Sequence, residues 1–505
     1  MSKIASPHCI VLDHAPLTLA DVNLIALRQV GVELSAAGRD AVLRARAVVD
    51  RLVDEGIPAY GITTGVGSQK DFAVGREAIA RYNNLMITAH ATLAPGANAS
   101  AEVVRGALAI QLALFAKGRS GVRLELVESL LARLQSDDLP TARLGSSVGA
   151  SDIVAMSQLA VPLLSKRGVN DKGTGPRPLE GLAAKEAVSL LNSNSLMLSE
   201  AALAIGEVRL LLDAAMLAGV LSIEGFRGNV RSWGAKVDLA RGQQGQSRIG
   251  QKLREALAES RLWQAGEARF LQDPLSFRCI PQIHGAAEEA YEFAHTIFES
   301  EISAACDNPL IDAETGTFIS HGNMETTACC LAMDMLRQGL AKVIEASGQR
   351  IHKIQWPGFT GLPASLAVEP GAIGGVQFLN FGHIAAANVG AVRQAAYPAL
   401  LNYSGQLDDG VEDVAGNAPQ SVAETVRSLV PAWNVVTLEV ACAVWAIHRR
   451  GLPIDTLGKG VRPLADEILT LLPIGSEGET ILDLGPMVDV VKRAATLVRA
   501  PSLPS

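Results

Sequence analysis

At 505 residues and 48% hydrophobic content, the chain can bury a large core and exceeds the usual size of one domain. Its 44 basic and 52 acidic residues give a net charge of −8 with no lysine- or arginine-rich block, which argues against a nucleic-acid partner. The six cysteines (Cys9, Cys279, Cys306, Cys329, Cys330, Cys442) form no CxxC pair, the first residues carry no apolar core of signal type, and no charge-free apolar run reaches the ~18 residues of a membrane span. A cytoplasmic protein with no membrane segment is therefore expected.

Apolar residues recur at three-four spacing from Arg39 to Glu55 and from Ala101 to Lys117, which predicts amphipathic helices. A long Ala- and Leu-rich run covers Glu186 to Ala218. Further helical patterns follow at Ala286–Ala304, Glu325–Ala346, Phe378–Leu401 and Ser421–Arg449. Aromatic content is 4% and strand-like alternation is scarce, so the fold class is mainly α, built as close-packed bundles of long helices. Such wide apolar helix surfaces call for a homo-oligomer. Gly- and Pro-rich interruptions fall at Ala59–Gly75, Leu139–Ala150, Arg167–Pro178, Gln355–Gly375 and Gly405–Pro419. Loops held by a rigid helical frame often carry function.

Four segments hold the chemistry. Ala59-Tyr-Gly-Ile-Thr-Thr-Gly-Val-Gly67 is either a Gly-rich turn with a packed tyrosine or a loop presenting Tyr60. Gly145-Ser-Ser-Val-Gly-Ala-Ser151 leads into a helix; it can bind an anion there, or Ser151 or Asp152 can simply cap it. Arg278 lies in a stretch whose only other charge is Asp273. Its fork suits a substrate carboxylate, and equally a structural pair with Asp273. Asp408, Asp409, Glu412 and Asp413 crowd one loop, either as a solvated turn or as acid, base or cation partner. The nine histidines are scattered and no HExxH occurs, so no metal site is expected.

Taken in order, these segments resemble the histidine and phenylalanine ammonia-lyase family over nearly the whole chain. Tyr60-Gly-Ile-Thr-Thr-Gly-Val-Gly67 is similar to the family's Tyr-Gly-(Val/Ile)-(Asn/Thr)-Thr-Gly-Phe-Gly. Ser147-Val-Gly-Ala-Ser151 followed by Asp152 resembles Ser-Val-Gly-Ala-Ser-Gly-Asp with the Gly deleted. Leu190–Asn194, Gln272–Gln282, Cys306–Leu310, Gly322-Asn323 and Glu412-Asp413 resemble further family elements. The resemblance implies a mainly α fold of fumarase/aspartase-like architecture. Residues 1–205 would carry the Tyr loop and cofactor segment, and 206–505 the central bundle of long helices and C-terminal helices. It implies a homotetramer with active sites shared among subunits and a small amino acid or betaine as substrate. It also implies roles: Tyr60 as the base for the β-proton, Arg278 as carboxylate clamp, and Asn192, Gln272 and Asn323 as supports of the reacting centre. Glu412 stands where histidine-specific members have Glu, a partner for an imidazole-type ring.

The departures cluster at the same place. In the family, Ala-Ser-Gly cyclises to methylidene-imidazolone (MIO). Here Ala150 and Ser151 run straight into Asp152, whose Cβ hinders the ring closure that Gly permits. No cofactor is therefore expected. Leu275 replaces a Tyr, Ala89 (beside His90) a substrate-reading His, and Met324 an aromatic residue. A quaternary ammonium has no lone pair for an adduct with MIO and leaves as a neutral amine. The expected reaction is thus loss of trimethylamine from a histidine betaine such as ergothioneine, as in the MIO-free ergothionase branch. The alternatives are an MIO-dependent histidine or aromatic amino acid ammonia-lyase, and a catalytically inactive relative retained for binding.

Overall fold

Serine caps open the early helices. The Ser35 hydroxyl accepts from the Gly38 amide ahead of helix Ala36–Asp54, and the Ser100 hydroxyl accepts from the Val103 amide ahead of helix Ala101–Ala116. The second is buried at every position from Val103 to Ala116, which makes it a core element and not a surface one. The computed structural model describes residues 9–136, 138–164, 176, 178–371, 379–476 and 480–498. The predicted loop Arg167–Pro178 thus lies almost entirely outside the described residues, as does the end of Gln355–Gly375.

The described elements are overwhelmingly helical, as the composition predicts. The exceptions are two small sheets: Cys9–Leu12 runs parallel to Gly31–Leu34, and Leu310–Asp312 antiparallel to Thr317–Ile319. One expectation needs correction. The run Glu186–Ala218 is not a single helix but two, Glu186–Leu191 and Ser195–Phe226. The polar triplet Asn192-Ser193-Asn194 separates them. Asn and Ser side chains offer the backbone local hydrogen bonds that compete with the helix, and here those groups are needed elsewhere, as described below.

One helix combines length with high apolar content. Helix Ala418–Arg449 is long and apolar enough to cross a membrane by composition, although 83% of its most apolar window is buried within the fold, as in a core helix.

The chain divides into two units. The first comprises Met1–Gly206, His295–Met333 and Pro398–Ala423; the second comprises Glu207–Ala294, Asp334–Tyr397 and Glu424–Ser505. Segments 295–333 and 398–423 return to the first unit through long helices, a placement that linear position does not reveal. In the first unit, Lys185 and Asp307 form a wholly buried ion pair at 2.8 Å, braced by Ser189 and Ser120. Beside this buried order, Leu401, Tyr403 and Val414 stand 81%, 89% and 68% exposed.

The second unit is a bundle of long helices. At its centre Arg350 pairs with Glu439, both fully buried, and Ser222 Oγ donates to the same carboxylate at 2.7 Å. Burial with the charges of Arg350 and Arg209 pushes the His284 imidazole down to about 3, so it is neutral in the core.

Candidate active site

Threonine hydrogen bonds set the shape of the Tyr60 loop. The Ala59 amide donates to Thr63 Oγ1 at 2.9 Å, and that hydroxyl donates to the Ile57 carbonyl at 2.6 Å. Gly61 and Gly67 sit at φ +64° and +55°, left-handed positions that a Cβ resists. The loop then folds back so that the Gly67 amide donates to Tyr60 Oη at 3.0 Å. The next amide, Ser68, donates to Asp408 Oδ2 at 3.0 Å, although the two residues are 340 positions apart. The acidic loop that supplies Asp408 is closed by paired backbone bonds between Leu407 and Glu412, with Asp408 and Asp409 both left-handed at φ +49° and +54°. Aspartate tolerates that region better than most residues.

The predicted base and the acidic loop are therefore neighbours. Burial pushes the Tyr60 phenol up, the Gly67 amide pulls it back, and the charges of Asp408 and Glu412 raise it further. Burial and Asp408 also push the Glu412 carboxyl up, opposed by His90. His90 ends helix Ile79–His90, with Nδ1 2.7 Å from the Met86 carbonyl; Ala89 beside it is exposed.

The Gly145–Ser151 segment forms the second part. Gly149, at φ +95°, is approached by Thr326 Oγ1, which donates to its carbonyl at 2.7 Å; a side chain there would strike Thr326 and the amides of Asn417 and Ala418. The Asn417 amide donates to Val148 O at 2.8 Å, and Gln420 Nε2 to Ser147 O at 2.8 Å, so the acidic loop's far end is tied to this segment. Ser151 is left-handed, at φ +72°, and 5% exposed. Its amide donates to Asn194 Oδ1 at 3.1 Å and its hydroxyl to Asn192 Oδ1 at 2.5 Å. Asn194 Nδ2 in turn donates to the Met324 carbonyl at 3.0 Å, while Asn323 Nδ2 donates to Ala305 O at 3.3 Å and Ala150 bridges Glu325. Asn192, Met324 and the 150–152 segment thus meet, and Asn323 lies on the adjoining turn.

Asp152 serves two helix starts: its carbonyl accepts from the Met156 amide at 2.8 Å ahead of helix Ile153–Leu164, and its side chain caps a second helix. Its amide donates to Ser193 O at 2.8 Å, and its carboxylate accepts from the Met197 amide at 2.9 Å, at the N-terminus of helix Ser195–Phe226. Burial pushes this carboxyl up to about 6 despite those donors, and its charge together with burial pushes Glu200 up to about 7.

Gln272 and Arg278 lie in the second unit. With the Gln272 amide oxygen turned inward, it accepts from both Arg278 Nη atoms. Asp273 instead accepts from the Asn229 amide at 2.5 Å. Arg278 Nε is buried without a hydrogen-bond partner among the described residues, and Leu275 stands 61% exposed. A cavity of about 460 Å³ in this unit is lined by His352, Trp356, Ser365 and His383, none of which the motifs single out.

Two residues of the first unit escaped the sequence reading. Asn194 belongs to the quoted Leu190–Asn194 turn, but only its structure shows that it takes the Ser151 amide. Tyr82 faces the Val66 amide through its phenol, next to the amide that Tyr60 takes. Its signal was its spacing: it lies seven residues before Ala89, on the same helix face.

The model of the aromatic amino acid lyases matches residues 17–469. The chain belongs to this family. As an aromatic amino acid lyase it is a carbon–nitrogen lyase, and it is 32% identical over 463 residues to a histidine ammonia-lyase from Deinococcus radiodurans, covering 88% of this chain and 86% of that one. Among solved structures, the lyase superposes on ergothionase from Treponema denticola, an ergothioneine-degrading enzyme, with a TM-score of 0.87 at 25% identity, covering 98% and 100% of the two chains. It shares its fold with histidine ammonia-lyase from Trypanosoma cruzi at a TM-score of 0.84 and 24% identity, over 97% and 93% of the chains.

Proposed function

We propose that this lyase eliminates trimethylamine from a histidine betaine such as ergothioneine, without MIO. The observation that carries this reading is Asp152. MIO formation needs the nitrogen after Ser151 to attack the Ala150 carbonyl. That nitrogen is the Asp152 amide, which is committed to Ser193 O, while its carboxylate is committed to the Met197 amide. On our reading these residues do not fit the group. Relative to the family's Ala-Ser-Gly-Asp, the Gly is gone, and here the Asp holds a helix start. The tether is shorter by one residue, up to ~3.5 Å of reach, and Ser151 is left-handed.

In this mechanism the substrate's cationic head needs no electrophile, because its nitrogen already carries the positive charge that an adduct would create. Tyr60 takes the β-proton as phenolate, the C–H electrons form the Cα=Cβ bond, and the C–N electrons leave with neutral trimethylamine. Arg278 holds the carboxylate through donors such as its open Nε, and Glu412 meets the ring. A cation beside Tyr60 opposes the effect of Asp408 and Glu412 and so favours the phenolate when substrate is bound. We further propose a cytoplasmic homotetramer. The exposed Leu401 and Tyr403 support assembly, and six free cysteines, four of them buried, support a reducing compartment.

The test is incubation of the purified enzyme with ergothioneine. Trimethylamine and the sulfur-bearing unsaturated acid should appear, and the peptide holding Ala150–Asp152 should keep its full sequence mass. Ammonia from histidine, with a deficit of two waters in that peptide, would replace this reading with the MIO-dependent one. A second expectation concerns the clamp: Arg278→Leu should raise KM about 10- to 100-fold with a smaller effect on kcat. An unchanged KM would remove Arg278 from the site.

A further inference from the structure

We propose that Asp408 is a positioning residue for Tyr60, locking the two loops together so that the phenol and a substrate cation share one short stretch of backbone. The proposal rests on the elimination reading for its purpose and on geometry for its substance. Three consecutive amides face three side-chain oxygens: Val66 faces the Tyr82 phenol, Gly67 donates to Tyr60 Oη at 3.0 Å, and Ser68 donates to Asp408 Oδ2 at 3.0 Å. Gly67 is left-handed, and a Cβ there would collide with the Asp408 carboxylate, so the approach needs glycine at this position. Asp408 is itself held left-handed, within a loop closed between Leu407 and Glu412. The carboxylate is thus fixed one amide from the phenol, by two loops that are far apart in sequence.

The charged and titratable groups around Tyr60 are Asp408 and Glu412 from the acidic loop and Tyr82 from helix Ile79–His90; His90 acts on Glu412 from the same helix. Asp408 contributes more than an anchor. Its charge adds to burial in disfavouring the Tyr60 phenolate. A cation entering beside the two groups opposes that charge, which favours proton abstraction from a positively charged substrate. A neutral amino group offers no such relief.

The primary readout needs no substrate. The Tyr60 titration is read as the ultraviolet phenolate difference between the enzyme and its Tyr60→Phe variant, then repeated in an Asp408→Asn background. Asparagine keeps an oxygen for the Ser68 amide and removes only the charge. The Tyr60 titration should move about 1 pH unit lower, and the acid limb of kcat/KM should move the same way. Asp409→Asn makes the same charge change one residue along the loop and should leave the titration in place. An unmoved Tyr60 titration in Asp408→Asn, or an equal shift in Asp409→Asn, would overturn the proposal. A shift specific to Asp408 in an enzyme that releases no trimethylamine would leave this inference standing and sink the proposed substrate instead.

Discussion

Tyr60→Phe is expected to lower kcat for elimination by about 10²- to 10⁴-fold with little change in KM. The substitution keeps the ring and removes only Oη, the atom that takes the β-proton in the proposed mechanism. The substrate contacts proposed for Arg278 and Glu412 are untouched, which is why KM should hold. The structural cost is confined to the Gly67 amide, which loses its acceptor in a half-buried loop, about 1 kcal/mol. Steady-state kinetics with ergothioneine, beside a thermal melt, separates the two effects. A fall in kcat of less than about tenfold would remove Tyr60 as the base.

The second large effect is on stability and lies at Asp152. In the unfolded chain its carboxyl ionises near 3.8, and in the fold near 6. Between those values the folded state holds the extra proton, so stability contributed by this group is greatest at low pH and falls as pH rises through about 6. At about 1.4 kcal/mol per pH unit, the full loss is on the order of 3 kcal/mol. Asp152→Asn keeps an oxygen for the Met197 amide and cannot ionise. It should therefore be more stable than the parent above pH 7, by up to that amount, and converge with it below about pH 4. Asp152→Ala removes the acceptor as well and should lose part of that gain, about 1 kcal/mol, for want of the cap. Urea unfolding at several pH values measures both. Equal stability of parent and Asp152→Asn across the range would show that the buried carboxylate is solvated in a way its surroundings do not suggest.

Much of the fold was legible because long helices announce themselves. The periods at Arg39–Glu55 and Ala101–Lys117 ended within three residues of the observed helices. The break at Asn192–Asn194 was not read from periodicity, because the Leu- and Ala-rich pattern continues through it. Their partners lie elsewhere: Asn192 and Asn194 accept from Ser151, and the Ser193 carbonyl accepts from the Asp152 amide. Single residues with rare chemistry stood out in the sequence: Tyr60 at the head of a Gly-rich loop, and Arg278 in a stretch whose only other charge is Asp273. What sequence hid was partnership over distance. Nothing near Asp408 indicates Ser68, and nothing near Asp152 indicates Met197, since both contacts exist only after two remote segments fold together. Asp152 opens its own helix through its carbonyl, while its carboxylate caps helix Ser195–Phe226.

The exposed stretch around Leu401, Tyr403 and Val414 flanks the loop that supplies Asp408 and Glu412. An isolated subunit leaves these side chains in water, next to Asp408 and Glu412. If neighbouring copies cover them, the order of the acidic loop becomes a property of protein concentration. Specific activity should then fall on dilution and recover on reconcentration, following the dissociation curve of the assembly rather than the unfolding curve of the chain.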